Sequence, residues 1–483
     1  MIVPRRGREE HRATSALQVA YVCSQYPAVS HTFVMREVEG LRELGVRVDT
    51  FSIHRTPLAQ LLTEADRAAF ETTCAILPPR WTALMAAHVS LALSAPRAYA
   101  ATLALALRLA SPGLRGRLWQ LFYFAEAVML WSECRRRGLR HVHAHLANVA
   151  ADVALLAAEL GSRVDRARPW SWSFTMHGPT EFYDLTRFRL AAKLRFARFA
   201  VCISDFARSQ LMAISDPASW CKLHVIHCGV PLRDFAGCVH QRPDACPMVL
   251  CVGRLVPEKG QAILLRAIAM LSERGRQLDV TFAGEGPSRA RLERLAGELR
   301  IAERVTFLGA VGQDQISELY SSATIFCLPS FAEGLPVVLM EAMALGLAVV
   351  STRIAGVPEL IEDDRTGLLV APGRADALAD ALARLLDDAA LRRRLGSRAR
   401  QRVSQDFDAD RSARQLLALF AAQLAPEGAQ EDHQHARSHR PGEVLSRLPA
   451  AASAGSAPSA RRASQPQALD PGRRRPRSTA KAR

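Results

Sequence analysis

Phe331-Ala-Glu-Gly-Leu-Pro-Val-Val-Leu-Met-Glu341, running on through Ala342-Met-Ala-Leu-Gly-Leu-Ala-Val-Val-Ser351, decides how the rest of the chain reads. It lies between two β-branched, strand-like runs, Thr324–Pro329 and Ala348–Thr352, and a Gly-Leu-Pro turn inside it starts an apolar helix. The stretch is therefore one β–α–β unit of a parallel sheet. Glu333 falls in the loop at the helix N-terminus, and Glu341, eight positions on, is expected about two turns into the helix. One acid can meet a ligand at the mouth of a cleft while the other reaches a second part of it, which suits a long, two-ended ligand.

Working outward, the same alternation continues in both directions. Toward the C-terminal half, strand-like runs at Met248–Gly253, Asp279–Gly284 and Val305–Gly309 join the two already named. Toward the N-terminus, Gln18–Cys23, Val46–Ser52, His141–His145, Trp172–Met176, Phe199–Ser204 and Leu223–His227 read as strands. Helical patterns such as Phe33–Leu44 and Asn148–Leu160 fill the gaps between them. The polar segment Phe235–Pro247 reads as a linker. Two doubly wound α/β domains are expected, with ligands at the strand C-terminal ends in the crevice between them.

Length and composition agree. At 483 residues and 49% apolar, the chain has material for two cores and a tail. Residues 426–483 carry eleven Lys/Arg and five Asp/Glu, so they supply +6 of the net +16 and the body +10. Such a balance suits nucleic acid, anionic lipid or a phosphate-bearing substrate and does not choose among them. The ten cysteines show no Cys-x-x-Cys pair, and several, Cys251 and Cys327 among them, sit in apolar runs, as small buried hydrophobes of a reducing compartment do. No run reaches about 18 uninterrupted apolar residues, the length of a membrane span. The charged start of the chain lacks the apolar core of a secretory signal. Trp81–Leu109 comes nearest to a span but is interrupted by His88, Pro96, Arg97 and Arg108; it reads as core or domain-surface helices, with lying on a membrane as the second reading. From Ala425 onward the composition shifts to Ala, Ser, Pro, Gln and Arg and cannot build a core.

Candidate chemistry gathers on one sheet edge. Val252-Gly-Arg-Leu-Val-Pro-Glu-Lys-Gly260 places Arg254 and Lys259 on a turn and helix start after a strand, where two cations and a helix N-terminus can clamp a pyrophosphate without metal. It is neither a Walker loop nor a Gly-x-Gly-x-x-Gly fingerprint. Ala283-Gly-Glu-Gly-Pro287 is a second strand-end glycine turn. Histidines 141, 143 and 145 alternate on a strand and share a face, yet no further ligand stands near them in sequence, and no metal is expected. Asp406-Phe-Asp-Ala-Asp410 reads as capping and first-turn acids of the last helix.

From about Gln18 to Leu424 the chain resembles a large family of retaining GT-B glycosyltransferases that includes sucrose synthase and bacterial mannosyltransferases. The resemblance is carried by Glu333-x7-Glu341, Gly253-Arg-Leu-x-x-x-Lys-Gly260, Gly284-Glu-Gly-Pro287, and Gly356-Val-Pro-Glu-Leu360 followed by Gly367-Leu-Leu-Val370. Tyr26-Pro-Ala-Val-Ser-His-Thr-Phe-Val-Met-Arg-Glu37 and His141-Val-His-Ala-His145 are closest in pattern to exopolysaccharide and colanic-acid-type members. Those relatives tend to have Ser-Glu-Thr-Phe where this chain has Ser30-His-Thr-Phe33, and many of them place paired glycines in a first loop that lacks them here.

The resemblance implies roles. Gly253, Arg254 and Lys259 would hold the donor diphosphate, with Glu285 nearby, and Glu341 would accept from the ribose hydroxyls. Glu333 would contact the donor sugar, with the amides of Gly334 and Leu335 at the same corner and His177 facing them from the first domain. His177, Arg254, Lys259 and Glu333 form the expected catalytic set. The implied boundaries are a flexible N-terminus (1–16), an acceptor-side Rossmann-like domain (17–240), a nucleotide-sugar donor domain (241–405), a terminal helix crossing back to the first domain (406–424) and a disordered basic tail (425–483). The implied activity is retaining, metal-independent sugar transfer, without cofactor, from a nucleoside-diphosphate sugar to a polysaccharide or polyprenyl-linked glycan in exopolysaccharide synthesis. Its setting would be the cytoplasm, in peripheral contact with anionic membrane, and no nucleic acid partner is expected. The alternatives are an epimerase or hydrolase of nucleotide-sugars on the same fold, or a non-catalytic nucleotide-sugar-binding scaffold.

Overall fold

The computed structural model describes residues 17–28, 31–178, 180–235 and 247–425. The expected flexible N-terminus, Ser30, most of the Phe235–Pro247 linker with the 240/241 boundary, and the basic tail from Pro426 lie outside the described residues.

The N-terminal half runs β1 (Gln18–Gln25), α1 (Thr32–Glu43), β2 (Arg47–His54), α2 (Glu64–Thr72) and β3 (Cys74–Leu77). Three helices follow, α3 (Trp81–Ser94), α4 (Pro96–Leu109) and α5 (Leu114–Arg137). Then come β4 (His141–His145), α6 (Val149–Val164), β5 (Ser171–Met176), the short α7 (Leu185–Phe188) and α8 (Leu190–Phe196), β6 (Phe199–Cys202), α9 (Asp205–Ile214) and β7 (Leu223–Val225). The strands form one seven-stranded sheet in the order β3-β2-β1-β4-β5-β6-β7, and every pairing is parallel.

The second half repeats the plan with β8 (Met248–Val252), α10 (Gln261–Glu273), β9 (Asp279–Ala283), α11 (Arg289–Glu298), β10 (Val305–Gly309), α12 (Gln313–Ser322), β11 (Ile325–Leu328), α13 (Val337–Ala344), β12 (Ala348–Thr352), α14 (Val357–Leu360) and β13 (Leu368–Val370). Its six strands lie in the order β10-β9-β8-β11-β12-β13. Both sheets are doubly wound about their first strand, as expected. β3 and β13, each of three or four residues, were not anticipated, because such short runs do not stand out from the apolar segments around them.

Parallel sheets need both faces covered, and the helices show how. α6 buries eleven residues between the first sheet and α5; its N-terminus is capped by Asn148, whose side chain accepts from the Ala150 amide. A Cβ on Gly161 would stand 2.3 Å from the Trp170 ring, so the helix can approach this closely only with glycine there. Truncating Leu156, fully buried in this layer, would cost about 2–5 kcal/mol.

The chain ends in α15 (Ala375–Asp387), α16 (Ala389–Asp406) and α17 (Ala409–Leu424). Asp408 caps α17 by accepting from the Asp410 amide, and Asp410 lies in its first turn, which accounts for the acidic run. Leu416 and Phe420 of α17 pack among Val19, Tyr21, Val34 and Val38 of the first domain. The last helix of the second half is therefore part of the first half's core.

Candidate functional site

Three parallel strands place the cationic and acidic loops on one edge. The register Val252↔Ala283 sets the ends of β8 and β9 side by side, and the Gly253 amide donates to the Ala283 carbonyl at 2.9 Å. A Cβ on Gly284 would stand 2.1 Å from the Gly253 carbonyl oxygen, and φ of +145° at Gly284 is itself a glycine conformation. The Phe331 amide donates to the Glu258 carbonyl at 2.7 Å, which ties the loop after β11 to the turn that carries Lys259.

The result is a short, strong contact. Lys259 Nζ donates to Glu333 Oε1 at 2.6 Å, and Ser330 Oγ donates to the same oxygen at 2.6 Å. Glu333 Oε2 has no protein donor among the described residues. Arg254 is exposed, and no ion pair engages its guanidinium among the described residues. The amides of Gly334 and Leu335 meet no backbone acceptor among the described residues. One carboxylate oxygen, the Arg254 guanidinium and two amides are thus without such partners among the described residues at the end of the sheet, where Lys259 is held by Glu333.

Glu341 is different. It is the fifth residue of α13, which begins at Val337, and so lies just over one turn into the helix, not two. The Gly-Leu-Pro segment delays the helix start to beyond Pro336. The carboxylate is 1% exposed and both oxygens are taken: Arg36 donates to Oε1 at 2.7 Å and Tyr320 donates to Oε2 at 2.9 Å. Arg36 belongs to α1 of the first domain and also donates to Gln313 at 2.8 Å, so the ion pair crosses from one half of the molecule to the other. Glu285, expected at the donor, turns its exposed side chain toward Arg289 at 3.3 Å; only its backbone joins the site, accepting from the Leu255 amide.

The facing wall is built from histidines. Glu37 Oε1 accepts from the Tyr21 hydroxyl at 2.7 Å and from His145 Nε2 at 3.1 Å. His145 Nδ1 in turn shares a hydrogen bond of 2.8 Å with His177 Nε2. The His177 ring rests on Phe33, with centroids 4.3 Å apart. Burial, reinforced by His145 and His31, holds His177 well below the usual imidazole range, so it is neutral at pH 7. His31 is also pushed down, first by burial and further by His145 and Arg254. A Cβ on Gly334 would stand 1.8 Å from the His177 carbonyl oxygen, so the second-domain loop meets this wall in a contact that admits only glycine.

Potential ligand atoms of Glu37, His143 and His145 lie within 4.8 Å of one another. Both nitrogens of His145 are already in the chain to Glu37 and His177, and those of His143 face Ser173 at 2.7 Å and Thr175 at 2.9 Å. A metal would have to displace that network.

Sequence reading brought out Arg254, Lys259, Glu333, Gly334, Leu335 and His177, but missed Arg36, Glu37, His145, Ser330 and Tyr320. It also left Glu359 without a role. Its carboxylate accepts from the Asp205 and Phe206 amides at 2.8 and 2.7 Å, at the N-terminus of α9 across the domain boundary. The Met-Arg-Glu end of the Tyr26–Glu37 motif was the available signal, since adjacent opposite charges on an apolar helix need partners.

Comparison with known proteins fits this geometry. Residues 239–402 match the family described as glycosyl transferases group 1. Alpha-D-kanosaminyltransferase of Streptomyces kanamyceticus is 37% identical over 177 residues, 37% of this chain and 46% of that protein. The amylovoran biosynthesis glycosyltransferase AmsK of Erwinia amylovora is 33% identical over 224 residues, 45% of this chain and 54% of that protein. The chain thus spans about half the length of the curated relatives it matches. HepE of Anabaena, solved in complex with UDP-glucose, superposes with a TM-score of 0.61 at 19% identity, covering 83% of this chain and 98% of that one. The chain has the GT-B fold and carries a glycosyl transferases group 1 domain.

Proposed function

We propose that this chain is a retaining, metal-independent glycosyltransferase that moves a sugar from a nucleoside-diphosphate sugar to a polysaccharide or lipid-linked oligosaccharide. The observation that carries the reading is the Glu333 carboxylate, with one oxygen fixed by Lys259 and Ser330 and the other without a donor among the described residues, on the same sheet edge as Arg254, which has no ion-pair partner among them. Departure of a diphosphate needs concentrated positive charge, and Arg254 and Lys259 supply it without a metal. Exopolysaccharide synthesis is the favoured setting, because AmsK, 33% identical over 224 residues, is named for amylovoran biosynthesis. We place the reaction in the cytoplasm, where such donors are made.

In this mechanism the sugar C1–O bond to the diphosphate breaks, and its electron pair leaves with the diphosphate oxygen. Arg254, Lys259 and the free amides at Gly334 and Leu335 stabilise the charge that develops. Glu333 Oε2 accepts from a sugar hydroxyl, and neutral His177 offers Nδ1 to another. The acceptor oxygen bonds C1 on the face the diphosphate leaves, and its proton passes to the departing phosphate oxygen. Ribose binding at Glu341 requires its hydroxyls to join or displace Arg36.

A thermal-shift panel of nucleoside-diphosphate sugars tests the reading. A true donor at about 100-fold its dissociation constant should stabilise the protein by about 2.7 kcal/mol. That donor should be turned over with membrane-extracted acceptor in EDTA. Binding without transfer to any acceptor would favour a scaffold, and turnover without acceptor would favour a hydrolase.

A further inference from the structure

We propose that the face built by α3, α4 and the first half of α5 docks on the surface of an anionic lipid bilayer. α3 is apolar all round, yet it buries Leu91 alone. A helix of that composition belongs in a core or against lipid. Its Trp81 and Leu93 are 74% and 79% exposed, with Met85 and Val89 also exposed. α5 divides in two: from Phe124 onward it packs into the core, whereas Leu114, Leu118, Trp119, Leu121 and Phe122 face outward. Most of the large apolar side chains that the described residues expose lie on these three helices.

Charge identifies the occupant. Between Glu71 and Glu126 the sequence has no Asp or Glu, but it has Arg80, Arg97, Arg108, Arg115 and Arg117. All five arginines are exposed, and none takes part in an ion pair among the described residues, whereas many arginines elsewhere are paired. An apolar surface whose own helices carry only cations along its exposed stretch matches acyl chains beneath anionic headgroups, with tryptophans suited to the boundary. A second copy of the same face would set five arginines against five more, so self-association is the weaker fit.

Shape agrees with a helix pair lying in the surface. No single helix among the described residues is long and apolar enough to cross a bilayer, and α3 and α4 meet at 115°. The Ser94–Pro96 corner therefore makes a shallow wedge. The Ser111 hydroxyl donates to the Thr186 carbonyl, which fastens the far end of α4 to the segment before α8. The proposal does not rest on the transfer reading, since docking and sugar transfer are measured separately.

Sedimentation of the full chain with vesicles tests it, using phosphatidylcholine alone and with about 30% phosphatidylglycerol. The protein should bind the anionic vesicles and leave the neutral ones largely free. Combining Trp81→Ser, Leu93→Ser, Leu114→Ser and Phe122→Ser should lower that partition about 100-fold, with the melting temperature unchanged. Combining Arg80→Gln, Arg97→Gln, Arg115→Gln and Arg117→Gln should lower it about tenfold or more, and serves independently if the first variant misfolds. Undiminished binding by both variants would assign the lipid affinity to another part of the chain and overturn the proposal. So would absence of binding by the unaltered protein, or a dimer that the apolar variant converts to monomer without any vesicle binding.

Discussion

The two walls of the cleft are made in opposite ways. The second-domain wall is assembled from neighbouring strand ends; Lys259 and Ser330 fix the buried Glu333, and of Arg254, Lys259 and Glu333 only Arg254 is exposed. The first-domain wall is a buried chain from Tyr21 through Glu37 and His145 to His177, drawn from two strands, a helix and a loop. One wall concentrates charge where a diphosphate would leave, and the other holds a neutral imidazole in one orientation. Glu341 belongs to the first kind by position and to the second by bonding, because Arg36 from across the cleft holds it. Electrostatic work can thus be prepared within one domain, whereas the bonding of Glu341 draws on residues from both halves.

Acid should separate the walls most sharply. Burial holds His141 down to about 3, and His143 and His177 well below 6.5. The unfolded chain takes up a proton at each as pH falls through about 6.5, and the folded chain does not. Their contribution to stability is therefore full above that pH and declines below it, by about 2 kcal/mol per histidine at pH 5. Denaturant midpoints at pH 7.5 and pH 5 check this, and Glu333→Gln should keep the same acid slope as the unaltered protein. Equal stability at both pH values would break the distinction.

Next in size, Glu333→Gln or Lys259→Ala should lower kcat about 10³-fold, and Lys259→Ala should also lower the melting temperature, because it leaves the buried Glu333 carboxylate without its cation. Glu341→Ala should weaken nucleoside diphosphate binding about 10- to 100-fold by calorimetry, and unchanged affinity would remove the ribose role. Arg36→Met is the finest probe. By releasing Glu341 it should tighten the same binding a few-fold, while leaving the buried carboxylate held by Tyr320 alone at a cost of about 3–5 kcal/mol. Weaker binding would make Arg36 a ligand contact.

Much of the second wall was legible because its residues come in short motifs at strand ends, where glycine turns and cations stand next to one another in sequence. The first wall was not. Glu37 and His145 are 108 positions apart, and nothing local says that β1 and β4 are neighbours. Tyr320 was hidden for a similar reason, since its partner lies on the next helix, 21 positions on. Trp81–Leu109 reads from sequence as core or domain-surface helices, with lying on a membrane second, because composition cannot say which apolar side chains find a partner.

By itself the sequence determined the two doubly wound sheets, through alternating strand and helix periodicity, and the Arg254, Lys259 and Glu333 strip, through the fixed geometry of strand-end turns. Only tertiary structure decided that Glu341 is sealed by Arg36, that His177 is neutral and oriented through His145, and that α3 is left bare. Those outcomes depend on burial and on partners distant along the chain. Periodicity records which residue types are present, whereas desolvation and ion pairing depend on what the folded chain sets against them.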